Sequence, residues 1–144
     1  MVKLNLPKFD FKLKDADGKV WIFDGIRKKY VVLTSEEWVR QNFVRYLIDT
    51  LHYPKALIKV EAGLTYNRLS KRSDIVVFSR GGTPWMVVEC KAPGIVLDEK
   101  SLMQASVYNQ TLKASYVVVT NGINHLCFEI TSVVKSLREL PSFV

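Results

Sequence analysis

The sequence predicts an α/β fold: one domain built on a mixed sheet, preceded by an N-terminal β-hairpin. Three observations carry this. Strand-like apolar runs alternate with three helical patterns, giving a core order αβββαββα. The 144 residues suit one domain with a substantial core. At 48% hydrophobic and 24% charged, the composition is that of a globular chain, not a disordered one.

Residues 8–32 read as the hairpin. "FDFKLKD" alternates apolar and polar residues, Ala16-Asp17-Gly18 suits a turn, and "KVWIF" returns. "IRKKYVVL" adds a further strand. "TSEEWVRQNFVRYLIDTLHYP" is a helix with Thr34 as N-cap, Glu36 and Glu37 in the first turn, and Pro54 beyond its end. Val39, Phe43, Leu47 and Leu51 recur at helical spacing and face the core. "LIKVEAGLTY", "SDIVVFS" and "PWMVVECK" are the next three strands. A second helix starts near Asp98 and covers "DEKSLMQASVYNQTLKA". "SYVVVT" is a buried strand, Asn121-Gly122 is a hairpin signal, and "NHLCFEI" returns. "SVVKSLREL" is expected to close the chain as a short helix. The boundaries are 1–32 for the N-terminal extension, 33–130 for the core and 131–144 for the C-terminal helix.

No apolar run approaches the length of a membrane span, and "MVKLNLPKFDF" lacks the apolar stretch of a signal peptide. A cytoplasmic protein without membrane contact is expected. Cys90 and Cys127 each sit in an apolar run and read as small core residues, not as a disulfide or a zinc site. The net charge of +7 suits a polyanionic partner, of which nucleic acid is the commonest, and equally a merely basic surface with no such partner. Lys8, Lys12, Lys14, Lys19, Arg27, Lys28 and Lys29 crowd the N-terminal strands. They read either as a charge-protected edge or as a DNA contact.

The stretch "SDIVVFSRGGTPWMVVECKAP" places two acids and a lysine in the most apolar part of the chain. With Gly81-Gly82 as a two-residue turn, Arg80 pairs with Thr83 and Asp74 falls opposite Glu89. Opposed residues point to one face, and Lys91, two residues on, shares it. Val76, Phe78, Trp85 and Val87 continue that face into the core, and Cys90 packs into the opposite layer. Two buried carboxylates side by side need compensation. A hard divalent cation such as Mg²⁺ supplies it, completing its shell with water and phosphate. That chemistry is phosphodiester hydrolysis. A structural Asp–Lys–Glu ion network is the competing account of the same residues.

Asp74, a hairpin and Glu89-Cys90-Lys91 resemble the PD-(D/E)XK nuclease motif. The pieces "LTSEEWVRQNFVRYLI", "SDIVVF", "VVECKAP", "QASVYN" and "VVTNGINHLCFEI" resemble, in that order, the N-terminal nuclease domain of type I restriction endonuclease R subunits. The resemblance implies a restriction-endonuclease-like αβββαβ core. It implies Asp74 and Glu89 as ligands of Mg²⁺, with Mn²⁺ as a substitute, together with the backbone carbonyl of Cys90. Lys91 then serves the attacking water. A further metal acid from the first helix matches Glu37, with Glu36 as runner-up. As the third residue after Thr34, Glu37 also fits a capping box. Gln104 and Tyr108 match a Q-x-x-x-Y element that orients the lysine or a DNA strand. A core-facing helix position rarely carries Gln, which favours a functional Gln104; Tyr108 also reads as core.

The function implied is a metal-dependent DNA endonuclease. Neighbouring acids favour a charged lysine, so Lys91 positions water and stabilises charge instead of acting as base. Arg68, Lys71 and Arg72 are candidate contacts to the DNA backbone. R subunits continue into a helicase motor and this sequence ends at Val144, so the expectation is a nuclease domain acting as a homodimer or with a separate partner subunit. The rivals are a non-catalytic DNA-binding module that retains the fold and a structural accessory subunit.

Overall fold

The computed structural model describes residues 1–66 and 69–144, with the side chains of residues 62–73 and 108 outside the described set. Two sheets are present: a three-stranded antiparallel sheet at the N-terminus and a six-stranded mixed sheet, with a helix against each face of the latter.

The small sheet comprises β1 (Leu13–Ala16), β2 (Lys19–Asp24) and β3 (Lys29–Val32). Asp17 and Gly18 both take left-handed φ, +54° and +71°, which matches a two-residue turn to the twist of β1 and β2. Between β2 and β3, Asp24 closes the turn by accepting from the amides of Ile26 (2.7 Å) and Arg27 (2.8 Å) at Oδ1.

Helix α1 (Ser35–Arg45) starts at Thr34, whose hydroxyl accepts from the Glu37 amide at 3.0 Å. A π-helical turn, Tyr46–Thr50, extends it. His52 with φ +59° and Pro54 then end the helical path. Val39, Phe43 and Leu47 are fully buried and Leu51 packs at the rim of the same core.

In the main sheet, β4 (Ile58–Tyr66), β5 (Leu69–Phe78) and β6 (Pro84–Cys90) form an antiparallel meander. Helix α2 (Glu99–Leu112), capped by Asp98, returns the chain so that β7 (Tyr116–Thr120) runs parallel to β6. β8 (His125–Ile130) is antiparallel to β7 across a four-residue connection. There Asn121 Oδ1 accepts from the Ile123 and Asn124 amides and Gly122 takes φ +84°. Both faces of the central strands are apolar because both are covered. Ile75, Val77, Met86, Val88, Cys90 and Val118 pack with Val39, Phe43 and Leu47, while Val117 and Val119 pack with Ala105 of α2.

Two expectations need correction. Residues 134–137 are not a helix but an edge strand, β9 (Val134–Leu137), antiparallel to β8. The Val133–Leu137 spacing fits a helix. A helix so short has little stability of its own, however, and the open edge of β8 offers hydrogen bonds to β-branched residues. The β5–β6 connection is also not a two-residue turn. Ser79 pairs with Thr83 around Arg80-Gly81-Gly82, and a bulge at Trp85 restores the register. Trp85 therefore packs with Tyr53, Tyr116 and Phe143 on the α1 side of the sheet, not alongside Val87.

Candidate active site

Beyond the bulge, Ile75 pairs with Val88 and Val76 with Val87, and one further step along the ladder sets Asp74 opposite Glu89. The two acids are each 6% exposed. The Cys90 amide donates to Asp74 Oδ2 at 2.8 Å, which ties the start of the buried half of β5 to the end of β6. The Cys90 side chain is fully buried on the α1 side, and burial pushes its thiol pKa up. Alternation then leaves Glu89 and Lys91 together, with Lys91 Nζ 3.6 Å from Glu89 Oε1. Lys91 Nζ also donates to Gln104 Oε1 of α2 at 2.6 Å.

Glu89 is the electrostatically exposed member of the pair. Its Oε2 is buried with no hydrogen-bond partner among the described residues. Burial foremost, and then the charge of Asp74, raise its pKa to about 8. Asp74 is balanced differently. Arg40 of α1 donates to Asp74 Oδ1 from Nη2 (2.6 Å) and Nε (3.2 Å). The same guanidinium reaches Glu37 Oε1 (2.7 Å), Glu61 Oε1 (2.8 Å) and Glu36 Oε1 (3.4 Å). Burial opposes its charge, but Asp74 and Glu37 more than reverse that and hold its pKa above the ordinary arginine value. Glu61 takes a left-handed φ of +53°, unusual for a residue with a side chain, where the β4–β5 ladder skips the position opposite Asp74.

A search of curated proteins found no match. One solved structure is similar over 93% of this chain and 80% of its own. It is a DUF820 protein from Anabaena variabilis, provisionally named a nuclease, at 12% identity with a TM-score of 0.48. The model of the family described as "Type I restriction enzyme R protein N terminus (HSDR_N)" matches residues 35–143. The chain belongs to this family. The match begins at α1, so the three-stranded sheet lies before it.

Within this family member the first-helix acids part company. Glu37 accepts from Arg27, Arg40 and Gln41, so its carboxylate is committed to a buried ion network; the Thr34 cap uses only its amide. Glu36 is half exposed, and burial together with the charge of Asp74 raises its pKa. Of the two, Glu36 is the one left half exposed, with a single long contact, to Arg40, among the described residues. Gln104 is exposed, so the argument from a core-facing position does not hold, yet its side chain does reach Lys91. Arg68 and the side chains of Lys71, Arg72 and Tyr108 lie outside the described residues.

Arg40 and Glu61 were not anticipated. The available signal was the polar stripe Glu36, Glu37, Arg40 and Gln41 on α1, which by spacing alone reads as a solvated face. Most of it is buried: Glu37, Arg40 and Gln41 are at most 6% exposed, with Arg27 and Asp24 of the β2–β3 turn on Glu37 and Gln41, while Glu36 stays half exposed.

The residues suit a hard cation. Among the described residues no three His, Cys, Asp or Glu side chains converge on one metal position. Mg²⁺ nevertheless often takes only one or two carboxylates and fills its shell with water and phosphate oxygen. The unpartnered buried oxygen of Glu89 beside Asp74 is the kind of group such an ion satisfies.

Proposed function

We propose that the protein is a metal-dependent DNA endonuclease. The observation that carries this is the opposed pair Asp74 and Glu89, with an orphaned buried oxygen on Glu89 and with Lys91 at 3.6 Å. Membership of the restriction R-subunit N-terminal family supports the nuclease class, and a net charge of +7 suits a polyanionic substrate.

Asp74 and Glu89 would hold Mg²⁺ or Mn²⁺, with the Cys90 carbonyl as the third protein ligand; the bound ion supplies Lewis acidity to the phosphodiester and acidifies a water. Lys91 places a positive charge and donors beside the scissile phosphate and orients the attacking water. Gln104 holds the Lys91 ammonium at the mouth of the site. Glu36 takes the role first considered for Glu37. Arg68, Lys71 and Arg72 remain proposed phosphate contacts and Tyr108 a proposed strand contact. A homodimer or a separate subunit is the proposed working assembly.

A plasmid nicking assay with Mg²⁺ or Mn²⁺, run beside Lys91→Ala, tests this. Metal-dependent nicking lost in the variant is the expected result. DNA binding without nicking under any metal would sink the catalytic reading. It would favour a non-catalytic module in which Arg40 compensates Asp74 for architectural reasons, an account that the 2.6 Å Arg40–Asp74 pair supports.

A further inference from the structure

We propose that Arg40 is a positioning residue for Asp74, and that Arg27 of the N-terminal sheet sets Arg40 through Glu37; the inference rests on the nuclease reading above for its catalytic consequence. Asp74 Oδ1 receives two N–H groups of Arg40 and Oδ2 receives the Cys90 amide. A carboxylate offers about four lone-pair directions. The protein thus fixes most of them and leaves the group aimed, not free to rotate.

Arg40 is itself held. Its Nη1 sits on Glu37 Oε1 (2.7 Å) and its Nη2 on Glu61 Oε1 (2.8 Å). Glu37 Oε1 also takes Arg27 Nη2 (2.9 Å), and Glu37 Oε2 takes Gln41 Nε2 (3.0 Å). Arg27 Nε and Gln41 Nε2 then meet on Asp24 Oδ2, at 2.6 and 2.9 Å. Asp24 Oδ1 closes the β2–β3 turn. A continuous run of charge-assisted hydrogen bonds therefore joins that turn to Asp74. Its three carboxylates are 1–6% exposed, where an unmade bond is costly and geometry is tightly set. Asp24 and Arg27 precede the family match, so the extension before α1 contributes to the scaffold of the site. Arg is suited to the central place because one planar fork meets several carboxylates at once, which a lysine ammonium does not.

The competing account is that the network only fastens the small sheet to α1. The test uses the full chain with Arg40→Lys, Arg27→Ala and the milder Arg27→Lys. Arg45→Ala, which breaks the separate Arg45–Asp49 pair, is the control. All are measured below their melting temperatures. The first readout, without metal or DNA, is the Cys90 amide: its NMR shift and hydrogen exchange report where Asp74 Oδ2 sits. The second is the Mn²⁺ midpoint of the thermal shift, and the third is kcat and KM for nicking.

For Arg40→Lys we expect the Cys90 amide to shift and exchange faster, with metal affinity and kcat each falling roughly 10- to 100-fold and KM for DNA little changed. Arg27→Ala should move the same amide the same way by less, Arg27→Lys should partly restore it, and Arg45→Ala should leave it in place. A Cys90 amide unmoved in folded Arg40→Lys overturns the positioning role. One that moves in Arg40→Lys but in neither Arg27 variant overturns the relay from the small sheet. If the amide responds as expected while the wild type cuts no DNA with any metal, the positioning stands and the nuclease reading falls.

Discussion

Glu89 has an unsatisfied carboxylate oxygen and Asp74 has an arginine, so the two acids should respond differently to neutralisation. The folded-state pKa of Glu89, about 8, lies above the ordinary glutamate value of 4.5. The folded state thus holds its proton more tightly than the unfolded one. The resulting stability is fully present below pH 4.5 and is lost as pH rises through 8. Glu89→Gln should remove that slope. We expect its Tm without metal to match wild type near pH 4.5 and to exceed it by roughly 4 °C or more near pH 9, read by thermal melts across pH. Equal slopes in both proteins would mean that Glu89 is not desolvated as the structure has it. Cation binding at neutral pH should also release a proton from Glu89, which calorimetry in buffers of different ionisation enthalpy detects. Asp74→Asn behaves otherwise. Arg40 keeps Glu37 and Glu61, so the loss should be about 1–2 kcal/mol instead of the roughly 3–5 kcal/mol of a fully broken buried pair. The Mn²⁺-induced rise in Tm should vanish in this variant.

At the scale of elements, the β7–β8 connection has the least room to change. A Cβ added at Gly122 would lie 2.7 Å from Leu4 Cδ2 and 3.2 Å from Val39 Cγ2, and the residue sits at φ +84°. The N-terminal segment crosses here, with the Asn5 amide donating to the Gly122 carbonyl at 2.8 Å. Gly122→Ala should therefore destabilise by about 1–3 kcal/mol through strain and overpacking together, read as a lower urea midpoint. An unchanged midpoint would show that Leu4 does not pack there. Thr34→Ala removes the hydroxyl that accepts from the Glu37 amide and should cost about 1 kcal/mol. It shares α1 with Arg40, so a larger loss in nicking than in stability would point to α1 placement as part of the site.

Across the whole molecule, charge is unevenly spread. Residues 1–32 carry eight of the 21 basic residues against four of the 14 acidic ones, which places over half of the net +7 in the extension that precedes the family match. Asp24 and Arg27 are paired with each other, so half of the excess comes from Lys3, Lys8 and Lys12 before β1 and half from the lysines of the small sheet. DNA affinity should fall steeply between about 50 and 200 mM salt, with a slope set by the number of phosphates engaged. Removing charge at Lys12, Lys14 and Lys19 together should flatten that slope. A slope unchanged in the triple variant would place the phosphate contacts elsewhere, and affinity insensitive to salt would remove the electrostatic basis for a nucleic-acid partner. Among the described residues no helix is long and apolar enough to cross a membrane.

The sequence by itself determined the element order through β8, because strand and helix periodicities are local and the caps at Thr34 and Asp98 are local too. It also determined the Asp74–Glu89 register, although a three-residue turn and a bulge reach it by a different path from a two-residue turn. The Lys91–Gln104 contact was legible only through the family resemblance. Tertiary structure alone decided the rest. The tail became a strand because β8 had an open edge, which no local pattern reveals. Arg40 joined Asp74 and Glu61 because α1 packs on the main sheet, and Arg27 of the β2–β3 turn reached the same network through Glu37, which turns a solvated-looking face into a buried ion network. Burial of charge depends on what packs over it, and that is set by residues distant in the chain.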